Sequence, residues 1–264
     1  MLPKEYGTWA MLLVPLGVGL AVAGNVGAEG VVFGLASLSM FMARYPLTLM
    51  AKAWLGRSKS VPERSVRSLA VYSLLSLGLA VPLLYPYRLW WLVPLGGLAF
   101  VFLLASLYML RERWERTEAG ELLGIAGLTL TAPGAYYAAS GEMGTKVVFL
   151  WLLCALYFGA SVFYVKMRLR HRGLKQGAPE GSLWVMGRST ALYCLGLLAI
   201  VLVLAALRQI PVLAAIAFAP LLLKCLLVIF RPSPGMTLRQ VGIAEVWHSA
   251  LFGVLLAVAY RYSA

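Results

Sequence analysis

The sequence predicts an all-α polytopic membrane protein with about nine transmembrane helices. Three observations carry this reading. Of the 264 residues, 61% are hydrophobic and only 12% are charged, against roughly a quarter charged in a soluble domain. The apolar residues run in stretches of about twenty, the length that crosses a hydrocarbon core of roughly 30 Å at 1.5 Å per residue. The basic residues alternate between rich and poor connections, as loops on opposite sides of a bilayer do. Only helices and closed barrels satisfy every backbone hydrogen bond in lipid, and the short alternating runs of barrel strands are absent here.

Hydropathy places spans at about 8–27, 30–51, 67–84, 90–110, 121–139, 145–166, 189–207, 211–230 and 241–260. The opening MLPKEYGTWAMLLVPLG has a charged flank, but Pro3, Glu5 and the lack of a small-residue cleavage site make it the entrance to the first helix rather than a removable signal. Asn25 and Gly27 end that helix, and the second carries Arg44-Tyr45-Pro46 before a basic loop. The third opens at Arg67 and turns at Pro86. Tyr85, Tyr87, Trp90 and Trp91 form an interfacial belt ahead of the fourth span. Arg111 to Arg116 form its solvated, ion-paired extension. Glu121 opens the fifth, where a carboxylate complements the helix dipole, and Gly141 closes it. The sixth runs into the long basic loop Lys166–Arg188, broken by Pro179. After the seventh, Arg208 to Pro211 reads as a short connection or a kink. The Pro232-Ser233-Pro234-Gly235 loop separates the eighth from the ninth.

Seventeen of the 23 basic residues fall in the connections on one side and four on the other, with Arg44 and Lys224 inside spans. Cytoplasmic loops accumulate Lys and Arg, so the N-terminus is expected in the cytoplasm and the C-terminus outside. The net charge of +13 is then explained by orientation and by attraction to anionic membrane lipids, leaving no call for nucleic acid as a partner. Cys154, Cys194 and Cys225 lie in apolar stretches without ligand spacing and read as packing residues.

At an offset of 121 residues, Arg67-Ser68-Leu69-Ala70-Val71-Tyr72-Ser73-Leu74 aligns with Arg188-Ser189-Thr190-Ala191-Leu192-Tyr193-Cys194-Leu195. This suggests a single transmembrane domain over 1–264 with parallel four-plus-four pseudo-repeats, about 1–120 and 121–240, and a ninth helix at 241–260.

Ionisable residues inside a bilayer are costly and are functional candidates by default. Arg44 and Lys224 lie at similar depth, although either could snorkel to the interface. Glu245 and His248 are one turn apart on one helix face. A single Glu-x-x-His cannot build a dinuclear metal site, which needs two, so an internally hydrogen-bonded pair is the expectation and no metal site is assigned. There is no Asp in the chain, and no Walker or dinucleotide fingerprint. One of the two histidines, His171, sits in a basic loop, which argues against a Ser-His-carboxylate hydrolase.

The opening LPKEYGTWAMLLVP, with Lys4, Glu5, Gly7, Trp9 and Pro15, resembles the signature of the YwiC-like bacterial membrane proteins. ELLGIAGLTLTAPGAYYAA from Glu121 and LYFGASVFYVKMRLR from Leu156 extend the likeness over most of the chain. This resemblance implies a bacterial inner-membrane protein and no particular activity. More distantly, nine helices, the four-plus-four pattern and long loops after helices 2 and 6 resemble the UbiA-type intramembrane prenyltransferases. In those enzymes Asp-rich motifs near the ends of helices 2 and 6 hold magnesium against a diphosphate. The matching regions here, Arg44-Tyr45-Pro46 through Lys52 and Tyr164 to Arg168, carry cations instead.

Three functions remain open. Arg44, Lys52, Arg67, Lys166, Arg168, Arg188 and Lys224 would grip the head group of an anionic amphiphile, an isoprenoid, quinone-like molecule or phospholipid, because guanidinium binds phosphate and carboxylate through paired hydrogen bonds. Glu5, Glu121, Glu245 and His248 would be the acid/base groups if chemistry follows. Alternatively, Glu245 and His248 relay protons in a small-molecule transporter. In the third reading, faces such as Gly120-x-x-x-Gly124 pack the chain into a larger membrane assembly.

Overall fold

The computed structural model describes residues 6–57, 63–173, 180–230 and 238–263. Every regular element among them is helical: α1 (Tyr6–Ala23), α2 (Ala28–Trp54), α3 (Glu63–Leu84), α4 (Leu92–Arg111), α5 (Glu118–Thr129), α6 (Thr131–Ser140), α7 (Thr145–Gly173), α8 (Glu180–Ala206), a 3-10 segment (Val212–Phe218), α9 (Ala219–Phe230) and α10 (Leu238–Tyr262). Seven helical segments are long and apolar enough to cross a membrane, α5 and α6 counting together, and Gly7–Ala23 and Val212–Val228 are shorter apolar helices beside them. The chain is therefore a multi-pass α-helical membrane protein.

Two predicted spans are built in two pieces. The fifth breaks at Leu130 between α5 and α6, because the ring nitrogen of Pro133 cannot donate to the Thr129 carbonyl. Lipid offers no water to backbone groups near such a break, and side chains bond several carbonyls of the adjoining turns. Thr129 Oγ1 donates to the Ile125 and Ala126 carbonyls at 2.9 and 3.3 Å, and Trp151 Nε1 donates to Ala126 at 2.9 Å. Thr131 Oγ1 contacts the Leu128 and Leu12 carbonyls at 2.9 and 3.2 Å. The eighth span starts as the 3-10 segment behind Pro211 and becomes α-helical at Ala219.

Arg208 to Pro211 is a true connection. Arg208 takes a left-handed conformation (φ 54°), and the Gln209 N–H reaches back to the Leu204 carbonyl at 3.0 Å, a Schellman-type helix end. The same closure ends α4, where Arg113 has φ 62° and the Trp114 N–H bonds Met109 at 2.8 Å. At the end of α2 the left-handed position belongs to Gly56 (φ 69°).

The chain divides into two compact units, Met1–Trp151 and Leu152–Ala264, so α7 contributes to both. In the first, α1 lies along α6, α2 along α3 and α4 against α5. Small residues permit the first contact: a Cβ on Gly19 would collide with the Ala132 carbonyl oxygen. Leu12, Phe41 and Met42 form a buried cluster there, with Trp9 edge-on to Phe41 at 5.3 Å. The apolar windows of α3 and α4 are only 6% and 0% buried, so much of these two helices lies at the surface of the unit. Tyr85, Trp90 and Trp91 are exposed at the turn between them, as an interfacial belt requires.

The core of the second unit is aromatic. Tyr157 stacks on Phe252 with ring centroids 3.9 Å apart, and Phe218 packs edge-on to Phe252 at 5.2 Å. Hydrogen bonds fasten α8 to α7: Thr190 Oγ1 donates to the Phe163 carbonyl at 3.2 Å and the Tyr193 hydroxyl to Leu156 at 3.3 Å. The three cysteines are buried and free, in agreement with a packing role.

Candidate functional site

The predicted intramembrane residues resolve into two settings, one in each unit. In the first unit, α2 to α6 together with Leu12 of α1 line a partly open cavity of about 620 Å³, within the range of roughly 300–1,000 Å³ typical of small-molecule sites. Its wall is almost wholly apolar, and among the described residues Arg44 is the one ionisable residue on it. The lining runs along α2 from Phe33 to Leu47, about 20 Å of helical rise. Arg44 lies toward the end of the cavity where Leu69, Ser106 and Leu123 also contribute, whereas Phe33, Leu83, Leu92 and Gly134 mark the other end.

Local sequence places Arg44 there. Pro46 cannot donate to the Met42 carbonyl, while the Arg44 carbonyl accepts from Thr48 Oγ1 at 2.8 Å. Opposite, Gly124 gives the guanidinium room: a Cβ at that position would lie 3.3 Å from Arg44 Nη2. Gly120 serves a different end, since a Cβ there would meet the Trp114 carbonyl oxygen. The Gly120-x-x-x-Gly124 pair thus fits its own turn and Arg44. Ser76 Oγ on the cavity wall donates to the Ala36 carbonyl at 3.1 Å, and Ser106 Oγ to Phe102 at 2.8 Å, so these hydroxyls spend their donors on the backbone.

In the second unit, Lys224 Nζ donates to both Glu245 oxygens at 2.6 and 2.8 Å, and each residue is 8% exposed. The Tyr164 ring lies under the ammonium with its centroid 4.8 Å away, a cation–π geometry. The Tyr164 hydroxyl accepts from Arg168 Nε at 3.2 Å. Ser249, one turn beyond Glu245, donates to the Glu245 carbonyl at 2.7 Å.

The expected Glu245–His248 pair does not form. Glu245 turns inward to Lys224, while the half-buried His248 places Nδ1 2.6 Å from the Ala244 carbonyl oxygen of its own helix, which assigns its proton to that nitrogen. Lys224 likewise does not snorkel; its ammonium is buried on Glu245.

The other predicted residues scatter. Lys52 is half-buried near the end of α2. Arg67 is 82% exposed at its side chain and meets Glu63 at 3.9 Å one turn away. Arg188 is exposed on α8, whereas Lys166 is half-buried on α7. Glu121 is half-buried in the first turn of α5 behind the Thr117 cap, whose Oγ1 accepts from the Gly120 N–H at 3.2 Å. Glu5 lies outside the described residues. Arg57 was not singled out by sequence, yet its guanidinium donates to the Leu110 and Arg111 carbonyls at 2.5 and 2.8 Å, satisfying the last turn of α4. Its place immediately after the left-handed Gly56 is the signal that marks it.

The sequence profile described as YwiC-like protein matches residues 2–136, more than half of the chain and nearly the whole first unit. The chain belongs to the YwiC-like family. An uncharacterized protein of Haemophilus influenzae is 25% identical over 260 residues, 98% of both chains. The uncharacterized protein YwiC of Bacillus subtilis is 26% identical over 172 residues, 65% of this chain and 68% of its own. No solved structure matches. The match of the YwiC-like profile covers the cavity, including Arg44 and Gly124, and ends before the second unit with its ion pair.

Proposed function

We propose that the first unit binds an anionic amphiphile, with its apolar chain in the cavity and its head group on Arg44. The observation that carries this reading is the pairing of an elongated apolar cavity of about 620 Å³ with Arg44 near one end, the single ionisable lining residue among the described residues. A guanidinium there is expensive in a membrane. It suits phosphate or carboxylate because its planar donors form parallel hydrogen bonds. An isoprenoid phosphate, a quinone-like acid and a phospholipid all supply such a head group; the chemistry they share is an anionic head on an apolar tail.

The same reading places the protein in the bacterial cytoplasmic membrane, with Arg44's end of the cavity facing the cytoplasm. Beyond Arg44 on α2 lie Lys52 and Arg57, and Arg57 bonds the Leu110 and Arg111 carbonyls ahead of the Arg111–Arg116 segment; the charge rule assigns these basic residues to the inner side.

Native mass spectrometry of protein released in mild detergent, followed by extraction and identification of bound molecules, tests the proposal. The wild type is expected to carry an anionic amphiphile. Arg44→Ala should retain it roughly 10- to 100-fold more weakly, the worth of a charge-assisted hydrogen-bond pair. Gly96→Phe fills the cavity from a position with nothing within 4 Å of an added Cβ and should exclude the ligand while leaving Arg44 intact. An unchanged lipid content in both variants would reject the assignment.

A further inference from the structure

We infer that the cavity of the first unit has a built floor at the end away from Arg44, where Phe33 lies on Gly134, and that this floor limits the ligand to an apolar chain about one bilayer leaflet long. The inference rests on the binding reading above and adds the class of chain that the site admits.

The floor follows from what stands behind the lining. Phe33, Leu83 and Leu92 line the cavity at that end and also pack with Leu89, Tyr137 and Ala138 in one apolar cluster. The last three do not line the cavity, so the cluster closes it from behind. The turn from α3 to α4 is tied into this base: Arg88 is left-handed (φ 54°), and the Leu89 N–H returns to the Leu83 carbonyl at 3.0 Å. On the other side, a Cβ added to Gly134 would collide with the Phe33 ring. The ring is held between the backbone of α6 and a packed cluster, and close-packed surroundings resist its displacement.

The opening of the cavity lies elsewhere. Among the described residues that line it, Met40, Gly96 and Phe100 are the exposed ones. Met40 falls between Phe33 and Arg44 on α2, and Gly96 and Phe100 lie one and two turns beyond Leu92 on α4, which puts the opening in the side wall and not at the floor.

Two fixed points therefore bound the ligand. Arg44 takes the anionic head, and Phe33 meets the end of the tail. They are eleven residues apart on α2, about 16 Å of helical rise, close to half of a hydrocarbon core of roughly 30 Å. An extended chain advances about 1.2 Å per bond, so about 13 carbons fill that length. An acyl chain or a short isoprenoid chain fits. A long polyisoprenoid does not, because its surplus has to bend out through the side or overpack a wall that is already filled. Phe33 is the residue that sets this limit. Ala80, half-buried on the lining one turn before Leu83, is the position from which a larger side chain would raise the floor.

The test is competitive loading of the full-length protein in mild detergent with an equimolar mixture of n-alkyl phosphates, from well below to well above the length of about 13 carbons, read by native mass spectrometry. The wild type should retain chains up to a cut-off and at least tenfold less of those beyond it. Phe33→Ala should move the cut-off several carbons longer, and Ala80→Leu several carbons shorter. A general loss of stability would lower retention at every length without moving the cut-off. Ala80→Leu fills space and removes no packing, so it carries the test alone if Phe33→Ala does not fold. Retention that depends on Arg44 but has the same cut-off in the wild type and the variants would overturn the floor and leave the binding reading standing. A wild type that retains no alkyl phosphate of any length would overturn both.

Discussion

Lys224 and Glu245 illustrate how a residue's depth and its partner are different kinds of information. Hydropathy places both residues inside spans, because depth follows from position along an apolar run. It does not give the rotation of one helix against another, and partners 21 residues apart on α9 and α10 are chosen by that rotation. For the same reason the i, i+3 spacing of Glu245 and His248 suggests a pair that the packing does not make. A stability prediction follows from the pairing. Lys224→Met leaves a buried carboxylate alone and should cost about 3–5 kcal/mol, whereas Lys224→Met/Glu245→Met should be close to neutral. Thermal unfolding of the two variants in one detergent checks the difference, and equal losses would show that the ion pair is not what the single change breaks.

At the scale of elements, the span pattern was legible because twenty apolar residues and a basic loop are local properties. The breaks inside spans were less so. Pro133 signals the division of α5 from α6, but a proline inside a membrane helix is also compatible with a kink, and α2 contains Pro46 without breaking. Near the break, the Thr129 and Trp151 side chains both donate to the Ala126 carbonyl. Helix contact is equally local in cause. Gly19→Leu must drive α1 away from the Ala132 carbonyl of α6 and should destabilise the first unit by about 1–3 kcal/mol. Arg208 acts in the opposite sense. It holds a left-handed position at the end of α8 that costs a non-glycine residue about 1–2 kcal/mol, so Arg208→Gly should raise the unfolding temperature while Arg208→Val lowers it. No change in either variant would mean that the turn does not limit stability.

At the scale of the whole molecule, the alternation of charge predicts which side each connection faces. By sequence, seventeen basic residues fall in or beside the connections assigned to one side and four in or beside those of the other, and each Lys or Arg carried to the bilayer centre costs roughly 2.5–3.5 kcal/mol on insertion scales. The orientation should therefore be single rather than dual. The three native cysteines are buried, so a new exposed cysteine can be read against them with a membrane-impermeant maleimide. Tyr85→Cys, at a position 71% exposed on the basic-poor side, should label in intact cells. Trp114→Cys, at 54% exposure beside Arg113 and Arg116, should label only after the membrane is opened. The reverse pattern would turn the protein over and carry the Arg44 end of the cavity to the outer face, where its head group would be drawn from the other leaflet. Labelling of both sites in intact cells would show a dual orientation that the charge asymmetry does not permit.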